Sequence, residues 1–199
     1  MNYAHQHLHE TITILQRLDV AAIEQVVAVL AQLKANRGRI FFLGVGGSAG
    51  NCSHAVNDFR KLLGIECYTP TDNVSELTAR INDDGWESAY VEWLKVSRLG
   101  ERDAVFVLSV GGGSSDKKIS ANLVAAVDHA RGIGAKIIGI LGRDGGHTAR
   151  LADACVIIPT VNPNTVTPHC EALQSVIWHL LVSHPQLEPG MAKWESTEQ

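Results

Sequence analysis

Two pairs of side chains in this 199-residue sequence have the types and spacings of ligands to a metal ion. His54 and Asp58 lie four apart in a stretch of helical pattern, which puts both on one face, one turn apart, as two donors to a single ion require. Glu171 and His179 lie eight apart. At 100° per residue that is about two turns with an offset of about 80° around a helix, near enough to bracket one ion. Two imidazoles and two carboxylates suit zinc or another first-row divalent ion better than calcium or magnesium. The chemistry available to such an ion is Lewis-acid stabilisation of negative charge on oxygen.

A second feature is built from backbone. Ile40-Phe41-Phe42-Leu43 is apolar without alternation, as in a parallel strand covered on both faces, and it runs into Gly44-Val45-Gly46-Gly47-Ser48-Ala49-Gly50. A strand-to-helix turn of this kind leaves unpaired N–H groups at the helix start, which favour an anion, typically phosphate. No Gly-Lys-Ser/Thr follows, so it is not a P-loop, and the glycines are out of register for GxGxxG. The competing reading is a tight turn with no ligand.

The elements that must position these groups follow from the pattern along the chain. Residues 2–35 read as two helices, with Asp19 a cap between them. Helices are expected over 48–63, 87–94, 116–131, 147–152 and 168–182, with a helical turn over 75–81 and a polar loop at 82–86. Strands are expected over 40–43, 67–71, 103–109, 135–141 and 154–159. This alternation specifies an α/β fold, a doubly wound parallel sheet in a three-layer αβα sandwich behind an N-terminal helical hairpin. Ligands in such sheets bind outside the carboxyl ends of the strands, where the glycine turns 44–50, 111–113 and 142–146 all fall. The chain divides into hairpin (1–36), α/β core (37–185) and C-terminal tail (186–199), the last five residues reading as disordered.

Composition narrows the class. A hydrophobic content of 45% suffices for one full core, and a net charge of −4 with no basic stripe argues against nucleic acid or a membrane surface as partner. Cys52, Cys67, Cys155 and Cys170 lack CxxC spacing and read as reduced thiols. With no signal-peptide pattern or membrane-length apolar run, a cytoplasmic location is expected. The alternating His5, His7 and His9 point to different faces of a helix, and His129, His147, His169 and His184 read as surface histidines rather than ligands. The apolar surface of residues 12–30 exceeds what one α/β domain covers, so self-association is expected.

Six ordered motifs together resemble the sugar-isomerase (SIS) domains of the phosphoheptose isomerase group. They are Gly44-Val45-Gly46-Gly47-Ser48-Ala49; His54 with a carboxylate four residues on; Leu77-Thr78-Ala79 before Asn82-Asp83-Asp84-Gly85; the serine-glycine turn 109–115; Gly142-Arg143-Asp144-Gly145-Gly146; and Thr167-Pro168 before a helix ending in His179. The resemblance implies a homotetramer, assembled through the N-terminal helices, that isomerises sedoheptulose 7-phosphate to a glycero-manno-heptose 7-phosphate for surface polysaccharide. It places a divalent metal, usually zinc, at His54, Asp58, Glu171 and His179. It places substrate contacts at Val45, Gly46, Gly47, Ser48, Asn82, Asp83, Ser109, Val110, Gly111, Ser114 and Glu171, with phosphate held at the turn 109–114.

Against the family pattern, Asp58 replaces a glutamate taken as the proton-transfer base, and Glu171 replaces a glutamine. The usual Ser-Thr-Ser-Gly-Asn-Ser turn reads Ser109-Val110-Gly111-Gly112-Gly113-Ser114, and Leu62 stands where an arginine is usual. Two assignments of the base follow. Either Asp58 remains the base and Glu171 ligates the metal, or Glu171 takes over proton transfer while Asp58 ligates, with His179 a ligand or an acid on the sugar oxygen. Two functions also follow: an aldose–ketose isomerase, or a non-catalytic SIS module that binds a sugar phosphate or a regulatory protein partner.

Overall fold

A computed structural model describes residues 2–197. Helices α1 (Tyr3–Gln16) and α2 (Val20–Ala35) open the chain. Each begins at a side-chain cap: Asn2 Oδ1 accepts from His5 N (3.0 Å) and Asp19 Oδ1 from Ala22 N (3.2 Å). Then follow β1 (Ile40–Leu43), α3 (Gly47–Leu63), β2 (Cys67–Tyr68), α4 (Val74–Asp84), α5 (Ala89–Val96), β3 (Ala104–Ser109), α6 (Ala121–Gly132), β4 (Lys136–Leu141), α7 (Gly146–Leu151), β5 (Ala154–Ile157), α8 (Val166–Val182) and α9 (Lys193–Ser196).

The five strands form one parallel sheet in the order β2-β1-β3-β4-β5, with Phe42 level with Phe106 and Phe106 with Ile138. Period-two alternation divides each strand between two cores. Ile40, Phe42, Ala104, Phe106, Ile138 and Ile140 face α2, α3 and α8, where Phe42 stacks on Phe106 at 5.0 Å and meets Phe59 edge-on at 5.1 Å. Phe41, Leu43, Val105, Val107 and Ile137 face α5 and α6. Strand order reverses between β1 and β3, so their carboxyl-end loops diverge and leave a crevice between them.

Several expectations need correction. The α2 part of the 12–30 apolar surface is covered within the chain: Ile23, Val26, Val27, Leu30 and Leu33 are buried against the protein's own sheet, and α2 packs on β5. The uncovered apolar stripe lies on α1, at Leu8, Ile12 and Leu15. Asn82 and Asp83 are helical rather than in a loop, because Asn73 caps α4 through Glu76 N and Gly85, at φ 87°, ends it later. Strand β2 stops at Tyr68, where a 3₁₀ turn begins at Pro70. Helix α6 starts at Ala121, since 114–119 close into a small antiparallel bridge. Part of the C-terminal tail is anchored: Leu187 is fully buried, its carbonyl accepts from Lys34 Nζ (2.6 Å), and Gly190 N donates to Leu62 O (2.8 Å). Of the stretch expected to be disordered, 195–196 belong to α9, and 198–199 lie outside the described residues. The four cysteines are free thiols.

Candidate active site

Helices α3 and α8 run side by side in parallel, so residues near their starts meet and residues two turns on meet again. A polar seam sets their register. Asn51 Nδ2 donates to Glu171 O (2.9 Å) and to the buried Gln174 Oε1 (3.0 Å), and Ser175 Oγ donates to Asn51 Oδ1 (3.3 Å). A shift of one residue would leave these groups unpaired. In that register His54, Asp58 and His179 converge, with ligand atoms all within 4.8 Å of one another. Asp58 Oδ2 lies 3.7 Å from Nε2 of each histidine.

The donor chemistry fits a divalent ion. His179 Nδ1 donates to Ser175 O (2.7 Å), which leaves the Nε2 lone pair facing Asp58. Trp178, fully buried, stacks on the His179 ring at 3.5 Å and meets His54 edge-on at 4.7 Å, so both rings rest on a fixed wall. Asp58 retains 15% of its side-chain exposure against about half for each imidazole, leaving the cluster open on the imidazole side.

Glu171 does not join this cluster. Eight residues separate it from His179, about 12 Å along a helix, and its carboxylate turns toward the start of α3. A β-carbon at Gly47 would lie 2.6 Å from Glu171 Cδ and 2.7 Å from Oε1. The structure therefore separates the expected four-residue set into a trio that could hold a metal ion and a lone carboxylate at the glycine turn. Asn82 and Asp83 are brought to neither place; both are exposed, and Asn82 Nδ2 donates to Asp83 Oδ1 (2.7 Å).

That turn is held from below. The buried Tyr90 hydroxyl donates to Gly44 O (2.6 Å), and a β-carbon at Gly44 would strike Ser48 O at 2.6 Å. Gly46, at φ 63°, precedes α3, whose start no side chain caps, leaving its first N–H groups turned outward. A cleft of ≈ 660 Å³ opens here at the carboxyl edge of the sheet. Of the expected substrate contacts, Val45, Ser48, Ser109, Val110, Gly111 and Ser114 line it, while Gly46 and Gly47 form the adjoining turn. Lys117, Arg143 and Arg150 line it too, and pattern reading passed over the two arginines. Arg143 was visible inside the third glycine turn, but only its glycines were read as functional.

The histidine expected at the surface of α8 is instead structural. His169 is 3% exposed, stacks on His7 at 4.2 Å, and its Nε2 lies 2.9 Å from Glu10 Oε2. Glu10 also accepts from Gln6, Asn162 and Thr165, and these hydrogen bonds, Gln6 first, hold its carboxyl down at about 2. The cluster fastens α1 to α8. Burial pushes the Cys170 thiol up to about 12, so it is no nucleophile.

The SIS domain family model matches residues 3–142. The chain is 32% identical over 167 residues to phosphoheptose isomerase of Rhodospirillum rubrum, covering 81% of this chain and 82% of that protein. It is 32% identical over 174 residues to phosphoheptose isomerase of Helicobacter hepaticus, covering 85% and 83%. The structure of phosphoheptose isomerase from Neisseria gonorrhoeae superposes with a TM-score of 0.78 at 24% identity, over 90% of this chain and 96% of that one, which speaks for the fold. The chain belongs to the SIS domain family, in its phosphoheptose isomerase group.

Proposed function

We propose that this protein is an aldose–ketose isomerase that converts sedoheptulose 7-phosphate to D-glycero-D-manno-heptose 7-phosphate. The observation that carries the reading is the convergence of His54, Asp58 and His179 beside an anion-receptive cleft, in a chain of this family. Isomerisation moves a proton from C1 to C2 through an enediol and shifts a second proton between the two oxygens. A carboxylate beside the cleft suits the carbon proton, and we assign this role to Glu171, whose carboxylate lies against Gly47 in the turn that carries the cleft residues Val45 and Ser48.

In this reading Asp58 acts as a ligand rather than a base, which its position 3.7 Å from each of two imidazole Nε2 atoms supports. His179, with Nδ1–H committed to Ser175 O, presents a lone pair and so acts as ligand in preference to acid. Zinc, held by His54, Asp58 and His179, would supply Lewis-acid stabilisation of the enediol oxygens. Ser48 and the turn 109–114 bind the phosphorylated end, and the outward N–H groups of α3 orient the anion.

A homotetramer, seated on the α1 stripe of Leu8, Ile12 and Leu15, would bring further groups to the open side of the trio, Asn82 and Asp83 of a neighbour among them. A role in heptose supply to surface polysaccharide, in the cytoplasm, accords with this chemistry; among the described residues no helix is long and apolar enough to cross a membrane. Incubating zinc-loaded protein with sedoheptulose 7-phosphate in an NMR tube should show aldose resonances growing in. No turnover of this or other ketose phosphates, with one metal per chain, would instead indicate a binding module.

A further inference from the structure

We propose that Arg143 holds the phosphoryl group of the ligand, replacing hydroxyls that the β3 turn lacks; the proposal deepens the isomerase reading and rests on it for the identity of the substrate. The turn Ser109-Val110-Gly111-Gly112-Gly113-Ser114 keeps two hydroxyls, and both already serve the loop's own backbone. Ser109 Oγ accepts from Gly111 N (3.3 Å) and Gly112 N (3.0 Å), and Ser114 Oγ accepts from Lys117 N (3.3 Å). Each retains one O–H to donate, which is a thin complement for a dianion.

Side chains cannot return to the middle of the turn. Gly112 and Gly113 have φ of 66° and 78°, and a β-carbon on Gly112 would run into Gly145 O, while one on Gly113 would lie 2.9 Å from Val124 Cγ2. Their carbonyls are also spent. Gly112 O accepts from Thr148 N (2.9 Å) and Thr148 Oγ1 (2.8 Å), and Gly113 O accepts from His147 N (2.9 Å). The glycines thus let the 142–146 loop and the start of α7 dock directly on the turn.

That docking delivers Arg143. Its backbone is left-handed at φ 54°, a conformation few arginines adopt, and its side chain passes Gly111 so closely that a β-carbon there would touch Arg143 Cδ at 3.8 Å. Arg143 lines the same cleft as Ser48, and its side chain has no hydrogen bond or ion pair among the described residues. The two acids that share the cleft are Asp116 and Asp144, and Asp144 is engaged by Gly146 N (3.1 Å). An independent observation that points to a ligand is Ser48 Oγ, buried with 1% residual exposure, lining the cleft and without a hydrogen-bond partner. A planar guanidinium with five donors meets phosphate oxygens two at a time and remains charged at every working pH, so one arginine offsets the lost hydroxyl donors.

The test uses the zinc-loaded full chain and inorganic phosphate as probe, by isothermal titration at fixed ionic strength. Arg143→Ala should weaken phosphate binding by at least about tenfold, the effect of losing a charge-assisted pair. Arg131→Ala, exposed at the end of α6 and outside the cleft, should stay within about twofold. Gly111 is not in the left-handed region and has room for a side chain, so Gly111→Ser combined with Arg143→Ala should recover part of the affinity. With a ketose phosphate substrate the loss should appear in KM with kcat little changed, the mark of uniform binding. If Arg143→Ala does not fold, Arg143→Lys keeps the charge, loses the fork and should weaken binding several-fold. Wild-type protein that binds no phosphate, or Arg143→Ala that binds it within about twofold of wild type, overturns the proposal. Wild-type protein that binds phosphate through Arg143 yet isomerises no ketose phosphate overturns the isomerase reading and leaves this one standing.

Discussion

Gly47→Ala separates the position of the Glu171 carboxylate from its presence. The new methyl would stand 2.6 Å from Glu171 Cδ and 2.7 Å from Oε1, so the carboxylate must swing away while the backbone stays. The fold tolerates this. Gly47 has no left-handed φ, alanine in a helix is favoured over glycine by at most about 1 kcal/mol, and a displaced rotamer costs about 0.5–1.5 kcal/mol. These nearly cancel, so the melting temperature should move by no more than about 4 °C for a chain of this size. Catalysis should respond differently. A positioned general base contributes about 10²–10⁴-fold, so kcat for ketose phosphate isomerisation and for solvent proton exchange should fall by at least about 10². Glu171→Gln should fall as far, and both variants should keep their zinc. Gly47→Ala protein with one zinc per chain and kcat within about threefold of wild type would refute the assignment of Glu171 as base and return that role to Asp58.

Further outcomes follow from other parts of the structure. His54→Ala and His179→Ala should each reduce bound zinc, measured by elemental analysis after dialysis, from one per chain to less than about a tenth, since two remaining donors hold the ion poorly; retained stoichiometric zinc in both would dismiss the trio as its site. Glu10, held at about 2 when folded against an ordinary 4.5, stabilises the fold fully above its unfolded value and loses that contribution as pH falls from about 4.5 toward 2. Wild-type protein should thus lose stability over that window in urea titrations more steeply than Glu10→Gln, and equal slopes would contradict the clamp. Leu8→Glu with Ile12→Glu places two charges on the exposed α1 stripe, so light scattering should report dissociation toward the 21.5 kDa chain without loss of helical circular dichroism.

The sheet was legible because its strands are buried on both faces. Runs such as Ile40–Leu43 and Ala104–Ser109 have no polar alternation, and glycine follows each shortly after. The trio was legible in part for a similar reason, since a four-residue spacing survives folding as a one-turn separation. An eight-residue spacing does not carry the same information: it sets two side chains about 80° apart in angle but about 12 Å apart along the axis, and only the pairing of α8 with α3 decides which of them reaches His54. Asn51, Gln174 and Ser175, which settle that pairing, are ordinary polar residues in sequence. His169 was misread because its partner, Glu10, lies 159 residues away. The ends of α4 and α6 were misplaced where caps and left-handed residues, rather than periodicity, set the boundary.

The clamp of Glu10 on α8, together with the packing of α2 on β5, means that residues 3–35 rest on elements within 154–182, more than 100 residues further along the chain. Strand β1 likewise waits for β3 before it gains its second neighbour. A nascent chain halted before β5 and α8 therefore holds an apolar α2 without the strand it packs on and a Glu10 without His169. Long-range closure of this kind slows folding, because the entropy of joining distant segments is spent before their contacts form. Until β5 and α8 are made, helices α1 and α2 lack these partners, and during that interval the chain is most exposed to premature self-association and to capture by chaperones.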